Sequence, residues 1–232
     1  MFRALKNRLK ELIFVKKEIF GRDNIFKLKT PSFRKISVVV NGSNNRIFAD
    51  GGRLENLSLK ITGNKNSIVI ESGTGISGAE ILIDGNNCEI RIGRDNRLDS
   101  GHFMLLANGD ESHIEIGNKN HFAWGHHNLS AAEGKAIFVG DDCLFSNDVY
   151  ISTSDFHRIL DAKTGVRLNN AKSVHIGNRV WTASFVRILK GAIIADDSVV
   201  GSGAVVTRQF ERGTVIAGNP ACAVKSGIRW QK

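Results

Sequence analysis

The chain has 232 residues, 41% of them hydrophobic, which is enough for one buried core and too apolar for a disordered chain. Its formal net charge is +9, but residues 1–36 hold eleven basic against three acidic side chains, a net of +8, so the other 196 residues carry only +1. The body is therefore a poor nucleic-acid groove, no apolar run approaches the roughly 20 residues of a membrane span, and three widely spaced cysteines (Cys88, Cys143, Cys222) fit a reducing cytoplasm better than a disulfide framework.

The N-terminus, MFRALKNRLKELIFVKKEIF, is charged throughout and has neither a signal-peptide core nor a cleavage site. Phe2, Leu5, Leu9, Leu12 and Ile13 fall on one helical face, with Arg3, Lys6, Arg8, Lys10, Lys16 and Lys17 around the rest, and Gly21 is a natural stop. The pattern predicts a basic amphipathic helix within residues 1–30. It either packs its apolar side on the domain or a neighbouring subunit, or lies through residues 1–20 on an anionic membrane surface. The expected location is cytoplasmic, with the inner membrane face as a peripheral option.

From residue 31 to 225 the chain repeats. Read in sixes from Ile176, it gives IGNRVW, TASFVR, ILKGAI, IADDSV, VGSGAV and VTRQFE. First positions (Ile176, Thr182, Ile188, Ile194, Val200, Val206) and fifth positions (Val180, Val186, Ala192, Ser198, Ala204, Phe210) are almost all small or apolar. Helices have no six-residue period. Six residues and a corner make one side of a triangular coil, three sides make an 18-residue turn, and stacked turns form a parallel β-solenoid. Upstream, VNGSNN, ITGNKN, IDGNNC, RIGRDN and EIGNKN supply Gly- and Asn-rich corners suited to left-handed backbone. Gly42, Gly63, Gly85, Gly117 and Gly140 mark corners at spacings of 21, 22, 32 and 23, so the early coils are irregular.

The hexads VGDDCL, FSNDVY and ISTSDF end at Phe156, and the next clear coil begins at Ile176. Residues 157–175 are thus an inserted loop with His157 as its first residue; DAKTG within it reads as a turn. A long loop in a compact array usually carries function. Residues 226–232 form a short C-terminal tail.

The stretches GDDCLFSNDVYISTSDFH, HIGNRVWTASFVRILKGA, IADDSVVGSGAVVTR and VIAGNPACAVK resemble the hexapeptide-repeat acyltransferases, left-handed parallel β-helix enzymes that use acetyl-CoA. The resemblance is to the branch that O-acetylates sugars: galactoside and maltose acetyltransferases and enzymes of capsular or lipopolysaccharide glycans. It implies an all-β fold of triangular coils with a protruding loop at 157–175 and a homotrimer that binds its donor between subunits. It also implies direct acetyl transfer to a hydroxyl of a glycan acceptor, with no metal.

By that resemblance His157 is the general base. It lies 24 residues before Trp181, which walls the active site. A neutral imidazole suits the task of taking a hydroxyl proton as the oxygen attacks a thioester. Asp155 is a candidate to orient it. Ser184 and Ser202, one 18-residue coil apart, match positions that contact the pantetheine arm through their backbone; Thr207, Arg208 and Lys225 match the other donor-binding positions, the two cations facing phosphates. Ala183 replaces a glycine frequent in the family. The family's acceptor-binding asparagine has no clear counterpart, His126 and Asn128 being the nearest candidates.

The sequence bears on three rival readings. N-acetylation of an amino sugar shares fold and donor, and the His157–Trp181 spacing favours the hydroxyl. A non-catalytic scaffold predicts an unbroken repeat. A zinc carbonic anhydrase of the same architecture needs three convergent histidines, and the adjacent pair His126–His127 points to opposite sides of a strand.

Overall fold

The apolar columns of the repeat become ladders because each coil lies in parallel register on the next. In the computed structural model, which describes residues 14–99 and 101–232, the strands form a 16-stranded sheet folded over two faces of the coil and a nine-stranded sheet that makes the third. On the first face Val38, Leu59, Ile81, Leu105, Leu129, Ile151, Ile188 and Val206 are successive register partners, all buried. The second face stacks Leu54, Ile76, Leu98, Phe122, Phe145, Thr182, Val200 and Ile216. The third begins with Ile47, Ile68, Ile90, Ile114, Ile137 and Val174. Each inward side chain touches its equivalent above and below, so one buried column per face runs through the stack.

Coil length varies along the stack. Successive first-face partners from Val38 to Ile151 are 21, 22, 24, 24 and 22 residues apart; Ile188 lies 37 beyond Ile151, and Val206 only 18 beyond Ile188. The longer coils enclose more volume, which Phe103, Phe122 and Phe145 fill: Phe122 stacks on Phe145 at 4.2 Å and meets Phe103 edge-on at 4.8 Å. The 37-residue step contains the insertion.

Corners turn inward polar groups that the core must satisfy. Asn45 Nδ2 donates to the Gly63 carbonyl at 2.9 Å, and its Oδ1 accepts the Asn66 amide at 2.9 Å. Asn66 repeats the pattern onto the Gly85 carbonyl and the Cys88 amide. A second ladder runs from Thr74 through Asn96 and Asn120 to Cys143 at another corner. Beside the first ladder the backbones approach so closely that a Cβ on Gly42 would lie 1.9 Å from the Gly63 carbonyl oxygen, and Gly42 has φ 140°. Only glycine fits there.

The glycines therefore belong to two corners. Gly42, Gly63, Gly85 and Gly109 make one stack, and Gly93, Gly117, Gly140 and Gly177 the other. The 32-residue spacing expected between Gly85 and Gly117 is a step from one corner to the next coil of the other, not a lengthened coil.

The N-terminal helix is a correction in part. Val15–Phe20 and Ile25–Leu28 are strands, paired in parallel with Ser32–Asn41 and Arg46–Ala49. The solenoid thus begins before residue 31. Here strand pairing satisfies the backbone while Val15, Phe26 and Leu28 pack against the core, which outweighs the local helical pattern. Phe2, Leu5, Leu9, Leu12 and Ile13 lie outside the described residues. Among the described residues no helix is long and apolar enough to cross a membrane.

The inner ladder should matter more than the outer one. Asn66→Ala strands a buried amide and a carbonyl and is expected to lower stability by about 2–3 kcal/mol in chemical denaturation. Asn86→Ala, which removes the exposed side-chain bonds to Asn64 and Asp110 at the same corner and leaves the Asn86 amide bonded to Asp110, should cost less than about 1 kcal/mol. Equal losses would show that the ladder carries no special share of stability.

Candidate active site

The insertion leaves the stack between Tyr150–Ser152 on the first face and Val174–Ile176 on the third. Its neck is closed by backbone: Lys172 N donates to Thr153 O at 2.9 Å, and Thr153 N to Ser130 O of the coil above at 3.1 Å. Beyond the neck the loop folds as a small hairpin. Leu160 and Arg167 form an antiparallel bridge, Leu168 N donates to Ile159 O, and Asp161 caps the DAKTG turn through the amides of Lys163 and Thr164. Ile159, Leu160, Val166 and Leu168 are each about half exposed or more, an apolar tip that nothing among the described residues covers.

His157 sits at the root of the hairpin, exposed. Phe156 takes φ 60° and the His157 amide donates to Asp155 O at 2.7 Å, so a tight turn fixes where the imidazole starts. Asn169, about nine-tenths buried, ties the root together: its Nδ2 donates to His157 O at 2.7 Å and to Asp155 Oδ2 at 2.8 Å, and its Oδ1 accepts the Ile159 amide at 2.7 Å.

The Asp155 carboxylate is paired with Lys190, and its bond from Asn169 makes a second partner. Lys190, chiefly, holds its pKa below the ordinary range. These bonds aim the carboxylate at the loop root and the corner beneath it. On the other flank Glu133, from the coil above, takes Arg167 Nη2 at 2.9 Å and accepts a bond from Ser154 Oγ. Arg167 first, then Ser154, lowers the Glu133 pKa from 4.5 to about 2.

A cleft of about 500 Å³ opens under the loop, lined by Asp155, Leu168, Asn169, Lys172, Lys190 and Thr207. Asp155 and Thr207 line this cleft, His157 is tied to its wall through Asn169, and Arg208 follows Thr207, so all four stand at the corner between the first and third faces. Trp181 does not join them. It opens the second face, in register with Leu144 and Val199, half-buried, with Nε1 donating to Ser146 Oγ at 3.3 Å. The width of the third face separates it from the loop root of its own chain.

Ser184 and Ser202 stack at the third corner, where the Ser202 hydroxyl donates to Ser184 O at 2.8 Å. Lys225, exposed, lies on Cys222–Ser226, which pairs antiparallel with Thr214–Ala217 and puts Lys225 opposite Val215, two rungs beyond Trp181. His126 and Asn128 lie on the first face, two coils above Arg187; Asn128 Oδ1 accepts from Ser130 Oγ at 2.6 Å, and the His126 ring is 5.9 Å from that of His102. His127 turns inward, its Nε2–H donating to Ala123 O at 2.8 Å, and burial pushes its pKa down.

No thiol is poised for attack among the buried cysteines. Burial raises the Cys88 pKa and pushes Cys143 up to about 12, and both sulfurs point at corner carbonyls. Sequence reasoning missed Glu133, Arg167, Asn169 and Lys190, which build the loop root. Two of them stand in VRLNN inside the insertion, an unexplained charged and amide pair in a loop; Glu133 and Lys190 come from other coils and carry no local signal.

Comparison with known proteins identifies the family and the fold. The family model described as bacterial transferase hexapeptide (six repeats) matches residues 173–208. The chain is 35% identical over 151 residues to the polysialic acid O-acetyltransferase of Neisseria meningitidis, covering 65% of this chain and 68% of that protein. It is 32% identical over 96 residues to the polysialic acid O-acetyltransferase of Escherichia coli O1:K1 / APEC, covering 41% of this chain but 31% of that one. It is 35% identical over 112 residues to the galactoside O-acetyltransferase of Lactococcus lactis subsp. lactis (strain IL1403), covering 47% of this chain and 53% of that protein. Among solved structures, the polySia specific acetyltransferase NeuO superposes with a TM-score of 0.63 at 24% identity, over 96% of this chain and 90% of that one. The polysialic acid O-acetyltransferase OatWY gives the same score and identity over 94% and 92%. Those two structures share the left-handed β-helix with this chain. By fold, repeat and sequence, the chain belongs to the hexapeptide-repeat O-acetyltransferases.

Proposed function

We propose that this enzyme transfers the acetyl group of acetyl-CoA directly to a hydroxyl of a surface polysaccharide or its precursor, with His157 as general base. The carrying observation is the built root of the 153–173 loop, which holds an exposed histidine beside a cleft of about 500 Å³ while its flanks are pinned to two other coils. The names of the relatives, two polysialic acid O-acetyltransferases and a putative lipopolysaccharide biosynthesis O-acetyl transferase from E. coli (strain K12), support a glycan acceptor.

The step balances without an acyl-enzyme. The imidazole takes the hydroxyl proton as the oxygen attacks the thioester carbonyl, a C–O bond forms, and the tetrahedral oxyanion is met by backbone N–H groups. Collapse breaks the C–S bond, and the imidazolium returns the proton to the departing thiolate. Arg208 and Lys225 face donor phosphates, the backbone at Ser184 and Ser202 borders the pantetheine arm, and His126 and Asn128 are acceptor-side candidates. Asp155 acts through the loop root, where its bonds to Lys190 and Asn169 hold His157 in place.

His157 and Trp181 stand on opposite sides of the third face, so one complete site needs both from neighbouring subunits. The exposed Ile159, Leu160, Val166 and Leu168 at the hairpin tip suit burial against a second copy. The assembly is a homotrimer in which each loop reaches the Trp181 side of the next subunit.

His157→Ala should slow acetyl transfer by roughly 10²–10⁴-fold. Acetyl-CoA binding by calorimetry should persist, and thiol release at the wild-type rate would end the assignment. The loop root makes a second prediction. Glu133 is depressed from 4.5 to about 2, so its pairing with Arg167 is fully present above pH 4.5 and is lost as pH falls through about 2. Amides of residues 157–169 should lose exchange protection across that window, and Glu133→Gln should show the loss at neutral pH together with reduced kcat. Protection that survives in Glu133→Gln would mean that the pair does not hold the loop.

A further inference from the structure

The last residues do more than end the chain. After Cys222–Ser226 the backbone turns at Gly227 and runs back along the corner between the third and second faces. Ile228 N donates to Gly213 O at 3.0 Å, Trp230 Nε1 donates to Arg179 O at 2.5 Å, and Lys232 Nζ donates to Lys119 O at 3.3 Å. Lys119, Arg179 and Gly213 stand on every second level of that corner, with Asp142 and Asp197 on the levels between, so residues 227–232 form a strap across five coils. The strap lies flat because Gly213 lacks a side chain: a Cβ there would stand 2.9 Å from Ile228 O.

The corner under the strap is rigid. Asp197, nearly buried, accepts from Arg179 Nε at 2.6 Å and Arg212 Nε at 2.8 Å, which fixes the backbone of Arg179 that receives the Trp230 indole. This anchoring sets the ring of Trp230 6.0 Å from that of Trp181, tilted by 44°. Trp181 thus has Ser146 at its indole nitrogen and Trp230 at its flank.

We infer that the C-terminal strap forms the acceptor-side wall of the Trp181 site, with Trp230 as a positioning residue that holds the Trp181 ring and narrows the slot for a sugar ring. This rests on the reading of Trp181 as a wall of the active site. Tilted indoles with one polar edge engaged leave an apolar face and neighbouring polar groups, a surface suited to the mixed character of a glycan.

The test uses the full chain, acetyl-CoA and polysialic acid as the acceptor. Wild type should show the far-ultraviolet exciton couplet of two close indoles, and Trp230→Phe and Trp230→Ala should lose it. Trp230→Ala should raise the acceptor KM by roughly two- to tenfold, the range an aromatic pair supplies. The acetyl-CoA KM should move less than the acceptor KM, and Trp230→Phe should fall between wild type and Ala. Should Trp230→Ala fail to fold, Trp230→Phe decides. An unchanged acceptor KM, or a donor KM that rises in parallel, overturns the inference. A Trp181→Ala variant as active as wild type overturns instead the underlying reading of Trp181. Wild-type silence on polysialic acid rejects that glycan as the acceptor, and an exciton couplet that survives in Trp230→Phe overturns the inference whatever the acceptor.

Discussion

The structure depends on holding each coil in parallel register about 4.8 Å from the next, with backbone meeting backbone at the corners. Apolar columns alone do not enforce this, because isoleucine on isoleucine tolerates some slip. The asparagine ladders do. Asn45, Asn66 and Cys88, and separately Asn96, Asn120 and Cys143, each bond an amide or carbonyl of the adjoining coil from inside the core. A coil displaced by one residue would strand these groups in an apolar interior. Close approach at Gly42 and Gly63 adds a steric limit at the same corner.

That rigidity is what makes the insertion useful. A loop of this length costs closure entropy and gains nothing unless its ends are fixed. Here the neck is closed by Lys172 on Thr153, and the body is held from above by Glu133 and from below by Lys190. The two pins come from different coils, so the position of His157 follows the stack rather than the loop's own sequence. The fold thereby places the proposed general base on a surface that, among the described residues, has no helix and few long strands to carry one.

Much of this was legible in advance, and the failures have physical causes. The hexad columns found the inward residues because a solenoid repeats every side of its coil, and the phase break found His157 because 37 residues replace 18 between Ile151 and Ile188. The glycine spacings misled because Gly85 and Gly117 belong to different corners, and local sequence does not say which corner a Gly-Asn step turns. The helical pattern at the N-terminus extended into Val15–Phe20, where an available strand edge outweighed it. The loop-root partners were illegible because Glu133 lies 34 residues from Arg167, and Lys190 lies 35 residues from Asp155.

The same geometry gives a reason for dividing the proposed site between subunits. A triangular coil exposes three faces and three corners, and any loop can occupy only one corner. His157 takes the corner between the first and third faces, while Trp181 and the strap that carries Trp230 take the second face and its edge. A flat face offers no concavity, so a lone solenoid encloses a substrate poorly. Two copies side by side make a groove between a loop and a face, and the apolar tip of Ile159, Leu160, Val166 and Leu168 gives that contact an interior. The proposed division of the residues between chains would therefore convert a smooth prism into a walled site without altering the repeat that holds it up.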